Sequence, residues 1–215
     1  MNPTRRAVSV TLALAALGAP LSLRAQQLRP GVDYVVLKPE LPVETPGKIE
    51  VIEFFWYGCI HCYGIEPLIE VWLKKLPSDA QFRRIPAVFN PRWAQDAGIF
   101  YAFEALGVFD RLHRPLFDSI HGDRLRTDNP EALGEWLRKH EVDLKKFGEA
   151  VRSFGVQSKV RRAAQLSAAY RIDGTPALAV HGRYTVGAEQ SKTQAVMLST
   201  VDYLIELVRK TLPAK

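Results

Sequence analysis

Residues 49–63 read Ile-Glu-Val-Ile-Glu-Phe-Phe-Trp-Tyr-Gly-Cys-Ile-His-Cys-Tyr, and this stretch holds both the clearest strand candidate and the only two cysteines of the chain. Its first seven residues are β-branched or aromatic apart from two glutamates, and they contain neither Gly nor Pro. A run of this kind is typical of a central strand that is buried on both faces. Cys59 and Cys62 follow the strand closely, where a helical pattern begins.

Helical spacing continues after the second cysteine. Apolar side chains recur at intervals of three and four residues, at Ile65, Leu68, Ile69, Trp72, Leu73 and Leu76. This spacing places them on one face of a helix, and Pro67 inside the segment is expected to kink it. The next strand candidate, residues 82–89, is short and is interrupted by Pro86.

Extended structure is also predicted in two further segments, one before residue 49 and one after residue 176. Residues 26–47 contain four prolines around a short extended piece, residues 34–37, and indicate an arm with one edge strand. Extended patterns return at residues 177–180 and 184–186, which are predicted to pair as antiparallel strands. A final helix follows, with Ser191 as its predicted N-cap.

Residues 93–171 hold only helical patterns. Asn129-Pro130-Glu131 predicts one helix start. Asp143 can cap the next helix, which Gly155 is expected to end. A longer helix is predicted over residues 156–171.

The resulting order is β, β, α, β, several helices, α, β, β, α. It predicts an α/β protein with a small mixed sheet and helices on both faces, interrupted by an all-helical insertion. We assign residues 26–92 and 156–215 to the sheet domain and residues 93–155 to the insertion.

Residues 1–25 have the layout of a secretory signal peptide, and an uncleaved anchor and a twin-arginine signal are the alternatives. Arg5 and Arg6 precede a mostly apolar run, residues 7–21, and Ala25 offers a small residue for cleavage. Removal of this segment takes away three arginines and no acid, so the formal net charge of +6 falls to +3. We expect cleavage after Ala25 and a mature protein that works outside the cytoplasm, where disulfides can persist.

Composition excludes several classes of protein. A hydrophobic content of 47% with 24% charged residues indicates a folded domain rather than a disordered chain. Two cysteines are too few for a disulfide-rich scaffold, and one apolar run is too few for a multi-span membrane protein. The modest net charge does not favour nucleic acid as a partner.

The position of Cys59 predicts an unusual thiol. The first N–H groups of a helix lack partners within it, and the helix dipole is positive there. Both stabilise a thiolate, and His61 can add a hydrogen bond or a positive charge, so the pKa of Cys59 is expected to be depressed. Cys62 lies one turn further in, faces the core and keeps a more ordinary thiol.

Two other interpretations of the cysteine pair are weaker than a redox disulfide. A purely structural bridge would close a loop of only about four residues and contribute roughly 2 kcal/mol. A metal site needs more ligands than one Cys-x-x-Cys supplies, and haem attachment needs His where Tyr63 stands. We therefore expect a redox-active Cys59–Cys62 pair, without a metal or a separate cofactor.

Other polar residues are ambiguous. Glu53 lies in the apolar strand, where a buried carboxylate could relay a proton, although an edge-facing or salt-bridged acid has the same pattern. Gly174-Thr175-Pro176 precedes a strand, which makes Pro176 a candidate cis proline, and a trans proline is the alternative. Trp56 and Tyr57 are expected to line a groove beside the cysteines, with ordinary packing in the core as an equal alternative. The remaining histidines are expected at surface or capping positions: His113, His121, His140 and His181.

The chain resembles the DsbA-like periplasmic thiol–disulfide oxidoreductases of the thioredoxin superfamily. The resemblance rests on Glu53-Phe54-Phe55, on Cys59-Ile60-His61-Cys62-Tyr63, on the helical insertion, and on Gly174-Thr175-Pro176 followed by a hairpin and a helix. It covers nearly all of the chain after residue 25. The family's best-known members carry Pro where this chain has Ile60, and this residue tunes thiolate stability.

The resemblance implies a thioredoxin fold and roles for particular residues. Pro176 would be cis and packed against the disulfide, and Thr175 would pair its backbone with an extended substrate peptide beside Ile60. Cys59, Cys62 and His61 would be catalytic, with Glu53 relaying a proton near Cys62.

It also implies an activity and its partners. The protein would oxidise unfolded exported proteins as a monomer through a mixed disulfide, and a DsbB-type quinone-linked membrane protein would reoxidise it. A reductase or isomerase of the same fold is the nearest alternative, and a redox potential would distinguish it. A non-enzymatic peptide or copper carrier is a further alternative, which would keep its binding without the cysteines.

Overall fold

A five-stranded sheet organises the computed structural model, which describes residues 27–212. The strands are β1 (Val35–Val36), β2 (Ile49–Phe55), β3 (Ala80–Pro86), β4 (Ala177–Val180) and β5 (Tyr184–Val186). Their order in the sheet is β1-β5-β4-β2-β3, and only the β2–β3 pair is parallel. The predicted signal peptide, residues 1–25, lies outside the described residues.

Seven helices accompany the sheet within residues 27–212. They are α1 (Ile60–Leu73), α2 (Pro91–Ala105), α3 (Phe109–His121), α4 (Pro130–Lys139), α5 (Leu144–Arg152), α6 (Phe154–Ala169) and α7 (Gln194–Thr211). The order of strands and helices predicted from the sequence is confirmed. Within the described residues, no helix combines the length and the apolarity needed to cross a membrane.

Strand β2 is buried along its whole length, as its sequence predicts. Its alternating side chains enter two separate cores. Ile49 and Val51 pack with residues of α1 and α7, whereas Ile52 and Phe54 pack with residues of α2, α3 and α6. The two layers of helices hold the carboxyl end of β2, and therefore the start of α1, from both sides.

Two predicted helix boundaries are wrong. Gly155 does not end α5, because Ser153 closes α5 and also caps α6, its Oγ accepting from the Val156 N–H at 3.2 Å. Ser191 does not cap α7, because Thr193 does so through its Oγ1 and the Val196 N–H. In each case a hydroxyl that can reach an unpaired N–H sets the boundary.

The turn between β4 and β5 requires glycine at position 182. Gly182 has φ +66°, and a Cβ there would lie 2.1 Å from the carbonyl oxygen of Leu41. The Leu41 N–H donates to the Gly182 carbonyl at 2.8 Å, so this turn also fixes the N-terminal arm to the sheet.

We expect Gly182→Ala to destabilise the protein by about 2–4 kcal/mol, because a backbone clash adds to the strain of positive φ. Gly31→Ala is the matched control, since Gly31 has φ +80° with open space around its Cα; it should cost only about 1 kcal/mol. Urea unfolding measures both. Equal losses in the two variants would contradict the proposed clash.

Candidate active site

The cysteines lie where the chain turns from β2 into α1. After Phe55 the chain makes a tight turn, closed by a hydrogen bond from the Cys59 N–H to the Trp56 carbonyl at 3.0 Å. Cys59 is the N-cap of α1 and has extended backbone angles, φ −88° and ψ 115°. This position places Cys59 at the end of α1 where the first N–H groups lack partners within the helix.

The environment of Cys59 stabilises a thiolate. Hydrogen bonding with the Cys62 side chain is the largest influence, and hydrogen bonds with Thr175 and with the backbone N–H groups of Cys62 and His61 act in the same direction. Together they outweigh partial burial and lower the pKa of Cys59 to about 5. The protonated Sγ can donate to the Thr175 carbonyl oxygen, which lies 3.2 Å away.

Cys62 is a contrasting thiol. Its side chain is fully buried, and burial is the main reason that its pKa is raised well above the usual value. Its hydrogen bond with Cys59 and the charge of Glu53 raise the pKa further. Both cysteines are free thiols in this structure. The pair therefore combines one accessible, acidic thiol with one buried, protonated thiol.

The loop before β4 completes the site. The Thr175–Pro176 peptide is cis, as the family resemblance implies, and Pro176 is buried. Beside the loop lies a cavity of about 210 Å³. It is lined by residues that include His61, Thr175, Pro176, Gln194 and Met197.

The residues between the cysteines face solvent. Ile60 is 57% exposed, and His61 is exposed as well. The His61 carbonyl accepts from Gln194 Nε2 at 2.7 Å, which fixes the start of α1 to α7. The interaction of His61 that lowers the Cys59 pKa comes from its backbone N–H rather than from the imidazole that sequence analysis emphasised.

Glu53 is both buried and ion-paired. The parallel register places it opposite Arg84 on β3, and Arg84 Nε lies 3.1 Å from Glu53 Oε2. The same guanidinium donates to Glu66 of α1 at 2.8 Å. Burial is the main cause that raises the pKa of Glu53 to about 8, with the charge of Glu66 adding to it and Arg84 opposing it. Two buried acids thus share one cation, and Glu53 is the one that holds a proton more readily.

A buried polar chain lies behind the motif and was not predicted from the sequence. His113, expected at a surface or capping position, is only 6% exposed and lies within α3. Its Nδ1 lies 2.9 Å from the Tyr57 hydroxyl and its Nε2 lies 3.4 Å from Glu66 Oε1. Burial lowers the pKa of His113, so a neutral ring accepts from Tyr57 and donates to Glu66. The spacing of His113 with the apolar residues Leu112, Leu116 and Phe117 on α3 was the available signal.

The expected groove lining is only half right. Tyr57 is 1% exposed and packs against Phe117, so for this residue the packing alternative holds and the groove does not. Trp56 is partly exposed and stacks on Trp93, with ring centroids 4.4 Å apart. Its Nε1 donates to Asp96 at 2.7 Å. The reason is that α2 and α3 fold over the residues that precede Cys59.

No cluster of three or more His, Cys, Asp or Glu side chains that could hold a metal ion occurs among residues 27–212. The pair of thiols with its surrounding hydrogen bonds is suited to thiol–disulfide exchange, because one sulfur is ready to attack or leave as a thiolate.

Comparisons with known proteins agree with this chemistry. A family model described as DSBA-like thioredoxin domain matches residues 65–198. The thiol:disulfide interchange protein DsbA of Azotobacter vinelandii is 41% identical over 204 residues, covering 94% of this chain and 95% of that protein. The DsbA of Bordetella pertussis is 43% identical over 201 residues, covering 93% and 96%.

Solved structures show the same similarity. A crystal structure of Pseudomonas aeruginosa DsbA matches with a TM-score of 0.79 at 38% identity, covering 84% of this chain and 94% of that one. Reduced DsbA1 from Neisseria meningitidis matches with a TM-score of 0.74 at 30% identity, covering 86% and 97%.

The low pKa of Cys59 predicts the pH dependence of its alkylation. Iodoacetamide should modify the reduced protein with a rate that is half-maximal near pH 5, because the thiolate is the nucleophile. Cys59→Ser should remove this fast phase. A midpoint near ~8.5, the value of an ordinary cysteine, would show that the site does not stabilise the thiolate.

Glu53→Gln should change how stability depends on pH. An unfolded glutamate loses its proton near ~4.3, whereas folded Glu53 holds it up to about pH 8. Wild-type stability therefore loses a contribution as pH rises through this window. The free energy of unfolding of the variant minus that of the wild type should increase with pH between these limits. Urea unfolding across this range provides the measurement, and parallel pH profiles would refute the raised pKa.

Proposed function

We propose, since the chain belongs to the DSBA-like thioredoxin domain family, that it is an oxidase that donates its Cys59–Cys62 disulfide to newly exported proteins. The thioredoxin fold with its helical insertion matches the solved structures of that family, and the chain is a thiol–disulfide oxidoreductase. The observation that carries the direction of the reaction is the position of Cys59 at the N-cap of α1, where its surroundings lower its pKa to about 5.

The proposed reaction begins with the oxidised protein. A substrate thiolate attacks the Cys59 sulfur, a substrate–Cys59 disulfide forms, and the Cys59–Cys62 bond breaks. The bonding electron pair leaves on Cys62, which takes up a proton. A second substrate thiolate then attacks the substrate sulfur and releases the Cys59 thiolate. Two electrons have passed to the protein, the substrate has gained a disulfide, and the stable thiolate favours this direction.

Glu53 is the proposed proton source for Cys62. Its carboxyl group is fully buried, and its pKa of about 8 lets it hold a proton at neutral pH. When Glu53 is ionised its charge raises the pKa of Cys62, so the two groups are electrostatically linked. Transfer of the proton to the departing Cys62 sulfur would avoid leaving a thiolate buried without a partner.

Thr175, Pro176 and Ile60 are the proposed substrate-binding residues. Thr175 reaches the Cys59 sulfur and lines the adjacent cavity, so a bound peptide that pairs with its backbone would pass across that sulfur. Exposed Ile60 offers apolar surface to segments of unfolded chains. Recognition through backbone and apolar contacts favours a broad range of substrates.

The remaining parts of the proposal concern location and reoxidation. The signal-like pattern in residues 1–25 supports export to the periplasm with cleavage after Ala25. A DsbB-type quinone-linked membrane protein would remove the two electrons that the cysteines gain, and the protein would act as a monomer. Neither nucleic acid nor a metal cofactor has a part in this scheme.

Single cysteine substitutions test the order of events. Cys59→Ser should abolish oxidation of a reduced peptide that contains two cysteines, because the attacked sulfur is missing. For Cys62→Ser, the peptide is supplied as its mixed disulfide with glutathione. This variant should accumulate a disulfide between Cys59 and the peptide, since the resolving thiol of the protein is missing. Non-reducing electrophoresis and mass spectrometry detect the adduct. Full activity in either variant would rule out the proposed mechanism.

A further inference from the structure

Two histidines of α3 hold Tyr57 at its opposite ends. His113 binds the hydroxyl, with 2.9 Å between Nδ1 and the oxygen. His121 binds the backbone carbonyl, with 2.8 Å between Nε2 and the oxygen. A carbonyl oxygen only accepts, so Nε2 of His121 carries the proton in this contact. The second residue of the turn from Trp56 to Cys59 is thereby attached to the helical insertion.

His121 also contacts the chain on the far side of the cysteines. Its ring stacks on Tyr63, with centroids 4.9 Å apart and an interplanar angle of 14°. Tyr63 directly follows Cys62, and the Arg114 guanidinium covers its ring at 4.9 Å. One side chain therefore touches the residues that precede and follow the redox motif.

The short turn between these contacts has little freedom of its own. The Cys59 N–H bonds to the Trp56 carbonyl at 3.0 Å. At Gly58 a Cβ would lie only 2.3 Å from the Trp56 ring, so the ring and the backbone are in close contact. The Tyr57 carbonyl belongs to the peptide group that enters Gly58. Fixing this peptide plane fixes the direction in which the chain reaches the N-cap of α1.

We propose that His121 is a positioning residue of the redox site: its hydrogen bond to the Tyr57 carbonyl holds Cys59 where the N–H groups of α1 stabilise the thiolate. This inference rests on the proposed oxidase function. It deepens that function, because it makes α3 of the helical insertion a determinant of the redox equilibrium. Loss of the bond would let the turn relax and would make the disulfide less oxidising.

Two substitutions separate the hydrogen bond from the ring stacking. His121→Phe keeps an aromatic ring on Tyr63 but loses the donor. His121→Gln loses the ring but keeps an amide N–H that can reach the carbonyl. His140→Ala is the matched control, because His140 also contacts a backbone carbonyl, that of Trp136 at 2.8 Å, but lies at the end of α4 away from the cysteines.

The measurements are the pKa of Cys59, from thiolate absorbance against pH, and the equilibrium constant with glutathione. In His121→Phe the pKa should rise by about one unit, and the equilibrium constant for reduction by glutathione should fall about tenfold. His121→Gln and His140→Ala should stay within about twofold of the wild type. A wild-type value in His121→Phe, or equal shifts in His121→Phe and His121→Gln, would overturn the proposal.

A measurement on the wild type keeps the test valid if a variant does not fold. Nitrogen-15 spectra of the reduced protein should show His121 as the Nε2–H tautomer, and an Nδ1–H tautomer would overturn the proposal. The Cys59 pKa and the glutathione equilibrium constant of the wild type distinguish failure of the proposed oxidase function from failure of the proposed role of His121. An ordinary Cys59 pKa in the wild type would remove the proposed function itself, whereas an oxidising wild type with an unchanged His121→Phe would remove only the role of His121.

Discussion

The stabilisation of a Cys59 thiolate at the start of α1, by hydrogen bonding with Cys62 first and by Thr175 and the helix N–H groups in addition, is the interaction on which the chemistry of this protein depends. It exists because β2 ends one short turn before α1 begins and because Cys59 occupies the N-cap position. The helix supplies donors that have no other partner. The Thr175 side chain supplies a further hydrogen bond that lowers the pKa, whereas the Thr175 carbonyl oxygen can accept only from the protonated sulfur.

The two sulfurs differ because the fold gives them opposite environments. The Cys59 sulfur is partly exposed and lies near hydrogen-bond donors. The Cys62 sulfur is buried in the core, where the charge of Glu53 acts on it. Glu53, Arg84 and Glu66 form a compact charged group behind Cys62. Burial of these charges makes the folded state less stable than apolar residues of similar volume would make it. In the proposed mechanism its use lies in the proton that Glu53 can hold, and the neutral His113 connects the group to Tyr57.

Local sequence predicted much of this arrangement. The apolar run of β2 and the helical spacing after Cys62 locate both cysteines at a strand–helix junction, and the N-cap residues Asn129 and Asp143 were assigned correctly. The predicted end of α5 at Gly155 and the predicted N-cap of α7 at Ser191 are wrong. Several nearby residues could cap these helices, and the three-dimensional geometry selects Ser153 and Thr193.

The environment of the site could be predicted less well, because it depends on contacts between distant segments. Tyr57 is polar enough for a groove, and His113 is a usual surface residue, so neither pattern reveals that α3 buries one against the other. Arg84 became significant only through the register that sets it opposite Glu53. The roles of the thiols therefore follow from the local sequence, whereas the residues that tune them follow from the tertiary structure.

The most direct test of thiolate stabilisation compares the free energies of unfolding of the reduced and the oxidised protein at neutral pH. The stabilised anion exists only in the reduced form. A disulfide across so short a loop stabilises the oxidised form by only roughly 2 kcal/mol, through its restriction of the unfolded chain. The account predicts that the reduced protein is the more stable form. A more stable oxidised protein would contradict it.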